Sequence, residues 1–273
     1  RSKITVTDNG SAIVFVNADN QIHLVLPDWT TSTPTFQEGT LNIPDNENVR
    51  SVAVSRQGNR IAATRTTLDN QIDIFDYPTG QWYEYELYNP TFSNGGENTY
   101  DVAFADAIEF DYSSNFIMYD ALNQIQGLSG VIEYYDIGFL NVWNESFNSP
   151  SLGNISKLFS GLPDNVSIGN PTFSKNSEFI IAFDYAENIG TNGNTEYDNF
   201  RVYGANLETG DNGIIANNTT FGYPSYSTMD NAIVYTKEFE PNNPNNDLFD
   251  VAGFNLDASK IQPTGDEVIL TIE

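Results

Sequence analysis

The sequence predicts an all-β chain built from about five four-stranded antiparallel sheets. Three observations predict it. Apolar and polar residues alternate with a period of two almost throughout, and no stretch carries the period of an amphipathic helix of useful length. Short β-branched and aromatic runs are separated by turns with their own residue chemistry. One pattern of strand, tight turn, strand, loop, strand, turn, strand recurs along the chain. It is clearest in residues 49–80, VRSVAVSRQGNRIAATRTTLDNQIDIFDYPTG.

The residues that open the first turn of each copy are Thr7, Ser55, Asp111, Ser174 and Ser227, spaced by 48, 56, 63 and 53 residues. A period near 50 is that of a propeller blade, in which four antiparallel strands, a to d, run from the axis outward. The expected fold is therefore a β-propeller forming one domain, with blades at about 1–44, 45–90, 91–162, 163–217 and 218–273. A closed five-bladed ring and five blades of a larger ring both fit this count.

In the first copy, strands are expected at 4–7, 12–16 and 21–26, with strand d inside 35–43; Asn9-Gly10 marks the first hairpin. The second copy adds strand d at 82–88, where Trp82, Tyr83 and Tyr85 alternate with Glu84 and Glu86 as a half-solvated blade edge should. The third copy is the least regular. A loop at 89–98 leads to two short runs, 100–104 and 108–110, read as separated by an extra turn. Strands follow at 116–119 and 131–135, then about eighteen residues precede strand d at 155–159. The fourth copy has strands at 171–174, 179–183, 200–203 and 213–216, with a long acidic b–c loop at 184–199. The fifth has strands at 224–227, 232–236, 251–255 and 267–272, with a b–c loop at 237–249.

Charge narrows the function classes. The chain of 273 residues carries 11 Lys and Arg against 37 Asp and Glu, a formal charge of −26. Nucleic acid and anionic lipid need clustered cations, so neither is an expected partner. The acidity suits solubility, or a face for cations or a basic partner. The absence of cysteine removes disulfides, thiolate zinc sites and thiol catalysis. No apolar run approaches the ~18 residues of a membrane helix, so no membrane insertion is expected. The chain opens Arg1-Ser2-Lys3 with neither an initiator Met nor a leader, which fits a processed chain or a piece of a longer one. Abundant Asn, Asp, Gly and Thr with few Lys lean towards an exported bacterial protein, periplasmic or extracellular.

The copies Asn170-Pro171-Thr172-Phe173-Ser174 and Tyr223-Pro224-Ser225-Tyr226-Ser227 share Pro-x-aromatic-Ser followed by a tight turn and an apolar strand. Val52 to Ser55 with Gln57-Gly58-Asn59 is a variant. This resembles the TolB-like, WD-repeat-related propeller repeat, whose turn continues Pro-Asp-Gly. Here that Asp-Gly core is replaced by Gln57-Gly58, Ser113-Ser114, Asn176-Ser177 and Met229-Asp230. The resemblance implies an interaction platform of the bacterial envelope, or an accessory domain of a peptidase; a fold that hosts many functions assigns no site.

The single histidine, His23, lies on strand c of the first copy and is read as structural. The b–c loops gather the acidic residues, and Asp120 and Asp184 hold the same repeat position just after strand b. Carboxylates and loop carbonyls suit Ca²⁺, so Asp120 and Asp184 are the candidate ligands if a metal binds; no copy has a known calcium-loop spacing, and no other cofactor is expected. Asp101, Glu109 and Asp111 are the carboxylates a glycosidase reading would use. No Walker loop, dinucleotide fingerprint or nucleophile elbow is present.

The leading expectation is a non-catalytic module that binds a protein or peptide through one loop face, with Asp120, Asp184, Tyr185, Glu187, Tyr197, Asp198, Phe239 and Asp247 as candidate contacts. The alternatives are a propeller that binds or hydrolyses a glycan with acidic residues at the channel mouth, and a structural spacer.

Overall fold

A computed structural model describes residues 3–30, 32–90, 102–127, 130–163, 165–188, 197–238 and 248–271. The expected loop residues 91–98, together with Tyr100, Asp101, Phe239, Asp247 and Ile272, lie outside them. Every regular element described is a β-strand, and five four-stranded antiparallel sheets of propeller-blade type account for all but one two-stranded ribbon. The chain divides into two compact units, Arg1–Lys157 and Leu158–Glu273.

The first unit holds three blades. Blade 1 is β1 (Thr5–Val6), β2 (Ile13–Val16), β3 (Ile22–Asp28) and β4 (Thr35–Thr40). Blade 2 is β5 (Val49–Val54), β6 (Arg60–Arg65), β7 (Gln71–Asp76) and β8 (Gln81–Glu86). Blade 3 pairs β9 (Val102–Phe110), β10 (Phe116–Gly127), β11 (Gly130–Asn141) and β14 (Ile155–Lys157). Between β11 and β14, β12 (Trp143–Asn144) and β13 (Ser149–Pro150) form the ribbon. The second unit holds blade 4, β15 (Val166–Phe173), β16 (Ile180–Glu187), β17 (Asn199–Asn206) and β18 (Asn212–Asn218), and blade 5, β19 (Ser225–Tyr226), β20 (Ala232–Glu238), β21 (Phe249–Leu256) and β22 (Pro263–Ile269).

Blades pack face to face through the apolar residues of their sheets. Val14 and Ile22 of blade 1 meet Val49, Val52, Val54 and Ile61 of blade 2. Ile72, Ile74 and Leu87 of blade 2 meet Val102, Ile108, Phe110 and Tyr119 of blade 3. Val202 and Ile215 of blade 4 meet Tyr226, Ile233 and Tyr235 of blade 5. Full burial of each large apolar side chain is worth about 1.5–3 kcal/mol, so these seams hold the blades together. At Gly138 the fit is tight: a Cβ there would lie 2.5 Å from the ring of the fully buried Tyr119, its cross-strand partner, so only glycine leaves the aromatic room.

One turn chemistry recurs at the a–b hairpins. The opening residue donates its backbone N–H to the carbonyl of the residue five positions on: Thr7 to Ala12, Ser55 to Arg60, Asp111 to Phe116 and Ser227 to Ala232. In each of the four, its side-chain oxygen also accepts that residue's N–H, at 2.8–3.2 Å. The residue three positions on is left-handed in every case: Gly10 (φ 65°), Gly58 (φ 75°), Ser114 (φ 58°) and Asp230 (φ 54°). Blade 4 has one more residue in its turn, and Ser174 Oγ caps Ser177 N at 3.0 Å instead.

The two non-glycine residues explain why the Asp-Gly signature is missing. Ser114 Oγ accepts from Arg56 N of the neighbouring blade at 3.3 Å. The Asp230 carboxylate accepts from Lys175 N and from Asn176 N (2.8 Å), both in blade 4, and from Lys260 Nζ at 3.2 Å. A left-handed residue with a side chain is strained by about 1–2 kcal/mol. Here the side chain offsets that cost by joining adjacent blades.

Several expectations are corrected. Residues 102–110 are one strand, not two runs with a turn between them: the pairing passes from Tyr119↔Ile108 to Ala121↔Ala105, a bulge that takes up one extra residue. Strands β10 and β11 are each twelve residues long, far beyond the expected 116–119 and 131–135. Their outer halves carry Asp, Asn and Gln, which read as loop. Residues 184–187 likewise belong to β16 and not to a loop. In blade 5, strand d begins at Pro263 and not at 267, because Asp257 opens a turn of the same type, with Lys260 left-handed (φ 64°) and Asp257 N bonded to Gln262 O.

The bridge at Asp230 is testable by urea unfolding. Asp230→Gly relieves the backbone but abandons three donors, and should lose about 2–4 kcal/mol. Ser114→Gly gives up one long bond and should stay within about 1 kcal/mol of the parent. Equal effects would show that the inter-blade bond carries no weight.

Candidate functional site

The candidate carboxylates of the b–c ends are built into the sheets. Asp120 is 3% exposed within β10, and its Oδ1 accepts the N–H of Ala107, inside the β9 bulge, at 2.6 Å. Asp184 is 3% exposed within β16, opposite a second strand-a bulge between Gly169 and Thr172. Its carboxylate accepts from Gly222 N (2.9 Å), Tyr223 N (3.0 Å) and Asn170 Nδ2 (2.9 Å). The shared repeat position therefore has a shared use: each carboxylate reads backbone that strand pairing leaves irregular. In blade 2 the bulge residue Arg50 pairs with Asp106, in the bulge of blade 3, at 3.1 Å.

The other candidates gather at the b–c end of blade 4. Tyr185 packs on Tyr203 at 5.1 Å, with the Arg201 guanidinium 5.6 Å from its ring centre. Burial, followed by the charge of Glu187, raises the pKa of Tyr185. Glu187 Oε2 accepts from Asn199 Nδ2 at 3.1 Å, Asp198 N donates to Glu187 O at 3.2 Å, and the Tyr197 and Ser167 hydroxyls share a hydrogen bond. The neighbouring b–c end of blade 5 joins them through the d–a connection: Thr236 N donates to Gly222 O and Asn218 Nδ2 to Thr236 O. Along this end Tyr223 is 52% exposed and Phe249 is 55% exposed. Sequence reasoning did not single out Tyr223; its place directly after Asp184's second ligand, Gly222, is visible only in three dimensions.

Of the glycosidase set, Glu109 and Asp111 lie within the described residues, at the end of β9 and just after it. Asp101 lies outside the described residues, and Asp111 is the turn cap of blade 3, accepting from Ser113 N, Ser113 Oγ and Phe116 N. Among the described residues no three His, Cys, Asp or Glu side chains gather as a metal site. His23 Nε2 lies 2.9 Å from Asn17 Nδ2 and 2.8 Å from Thr40 Oγ1, which ties strand c to its neighbours.

The a–b turn side of the first unit holds an open depression of about 420 Å³ lined by Asp8, Asn9, Arg56, Gln57 and Tyr112. These are the second and third turn residues of three successive blades, the positions that the turn chemistry leaves unassigned. Arg56 is already committed there: Nε donates to Asp8 Oδ2 at 2.5 Å, and the guanidinium sits 3.7 Å from the Tyr112 ring centre.

Deep in blade 3, Asp136 and Lys157 form an ion pair at 3.1 Å with side chains 5% and 2% exposed. Burial pushes the carboxyl above its usual range and the ammonium below its own, so desolvation outweighs the mutual attraction at both partners.

Two sets of variants test these assignments by equilibrium unfolding. Asp184→Ala strands three donors and should cost about 3 kcal/mol, whereas Asp184→Asn keeps two acceptor lone pairs and should cost less. Asp136→Ala alone leaves a buried ammonium and should cost about 3–5 kcal/mol; the double change Asp136→Leu with Lys157→Met should recover most of that loss. A double variant as weak as the single one would refute the assignment.

No family model matches this chain, and no curated protein does. Solved structures do. TolB from Acinetobacter baumannii is similar with a TM-score of 0.57 at 14% identity, over 93% of this chain and 51% of that one. A Mycobacterium tuberculosis puromycin-hydrolyzing peptidase is similar with a TM-score of 0.57 at 10% identity, over 100% of this chain and 39% of that one. The tricorn protease is similar with a TM-score of 0.52 at 14% identity, over 98% of this chain and 26% of that one. The chain thus spans about half or less of the length of these structures. At such identities the likeness establishes the fold alone: the chain has a β-propeller fold similar to that of TolB.

Proposed function

We propose that the chain is a non-catalytic protein- or peptide-binding propeller module of an exported bacterial protein, and that its partner meets the b–c end of blades 4 and 5. One observation carries this reading. On that end the Asp184 carboxylate is taken up by the N–H groups of Gly222 and Tyr223, while the aromatic residues Tyr223 and Phe249 stay more than half exposed. Exposed aromatics beside hydrogen-bonding groups are the usual anchors of protein interfaces. The −26 charge favours a basic partner. The likeness to TolB and a composition rich in Asn, Asp, Gly and Thr with few Lys support export to the periplasm or beyond.

A photo-crosslinking residue at position 223 or 249, introduced in the native host, tests this. Capture of a discrete polypeptide from either position, but not from position 112 on the turn side, is expected. Capture from 112 alone would move the interface to the other end. Release of reducing sugar from a glycan panel by the purified chain would replace the reading with the glycosidase one.

A further inference from the structure

The outer strand of each blade is a sheet edge, and those of blades 1 and 2 carry exposed charge along it: Glu38 in β4, and Glu84 and Glu86 in β8. Such residues keep an open edge from pairing with another chain. The outer strand of blade 5 also holds acidic residues, Asp266 and Glu267, but they stop short of its end. Its end runs Val268-Ile269-Leu270, which are 50%, 47% and 50% exposed, with no charged residue among them. No other described strand end has three successive exposed large apolar residues. The strand next to it continues the surface, with Phe249 55% and Val251 39% exposed. Leu270 N donates to Val251 O, so the extended pairing runs past the end of β22 to these residues.

We infer that this edge is a strand-addition site, and that its occupant is an extended cationic segment alternating Lys or Arg with apolar residues. The inference rests on the protein-binding reading and specifies the class of partner. The backbone sets the conformation: among the described residues β22 pairs with β21 alone, so its outer edge offers the donors and acceptors of a missing neighbour. The side chains set the composition. Carboxylates of Asp266 and Asp250 flank the apolar run, while the nearby cation Lys237 is held by Glu267. A second copy of the chain would bring the same acidic edge and a further −26 charge against it, which opposes self-pairing. A cationic strand meets complementary charge and apolar surface together.

The test is NMR titration of the isotope-labelled chain with a capped peptide of alternating Lys and Val. Shifts and slowed amide exchange confined to residues 263–271 are expected. Ile269→Lys, at an exposed position, should weaken binding about tenfold or more, and Leu270→Lys should do the same independently. Circular dichroism and unfolding midpoints show whether each variant is folded. A Glu–Val peptide, or a Lys–Val peptide N-methylated at alternate residues, should not bind. Three results would overturn the inference: shifts spread over acidic surfaces elsewhere, equal binding by both folded variants, or concentration-dependent dimerisation in sedimentation velocity that Ile269→Lys abolishes, which would make a second copy the occupant. A partner crosslinked from position 223 with no peptide binding at this edge would leave the protein-binding reading standing and remove this one.

Discussion

The structure depends on a single hydrogen bond repeated with small variations: a hydroxyl or carboxylate at the head of the a–b turn accepting the N–H that begins strand b. Blades 1, 2, 3 and 5 use Thr7, Ser55, Asp111 and Ser227 for it. The bond fixes where the inner hairpin starts, and so fixes the register of the two strands that fill the core. A slip of one residue would turn Val52 and Ile61 away from the neighbouring blade. Local turn chemistry and long-range packing therefore specify the same alignment.

That agreement is why the fold was legible. Thr7, Ser55, Asp111, Ser174 and Ser227 could be found by eye, and each proved to be the turn head. Period-two alternation then placed the inner strands of blades 1 and 2 within one or two residues. Legibility failed where polar residues are buried. Asp120, Asn123 and Asp184 looked like the start of loops, yet each is fully enclosed and lies in a strand. Their lone pairs and donors are satisfied by bulged or connecting backbone: Asp120 by Ala107, Asp184 by Gly222 and Tyr223, while Asn123 accepts from Asn89. A linear reading prices a buried carboxylate as unaffordable because the compensating N–H groups lie up to 39 residues away.

The candidate site was legible in part. Sequence placed Tyr185, Glu187, Tyr197 and Asp198 together, and they do meet at one end of blade 4. It could not separate carboxylates that hold the scaffold from side chains that face solvent, since both are Asp or Glu beside a strand. The distinction depends on bulges, which no residue type announces. The same blindness hid the surface residues Tyr223 and Val268, whose exposure is a property of the assembled sheet.

The left-handed turn positions have a further consequence. Glycine at such a position is a strict requirement that leaves a readable mark in every copy. At 114 and 230 that mark is gone, because a side chain bonded to the preceding blade stabilises the same conformation. The donors across the blade seam are backbone N–H groups, so the bond asks for an acceptor at 114 and 230 but sets no residue type at 56, 175 or 176. A repeat held in this way can carry Gly, Ser or Asp at one turn position in different copies while the turn keeps its shape. Shape similarity can then outlast every pattern by which a sequence comparison would detect kinship.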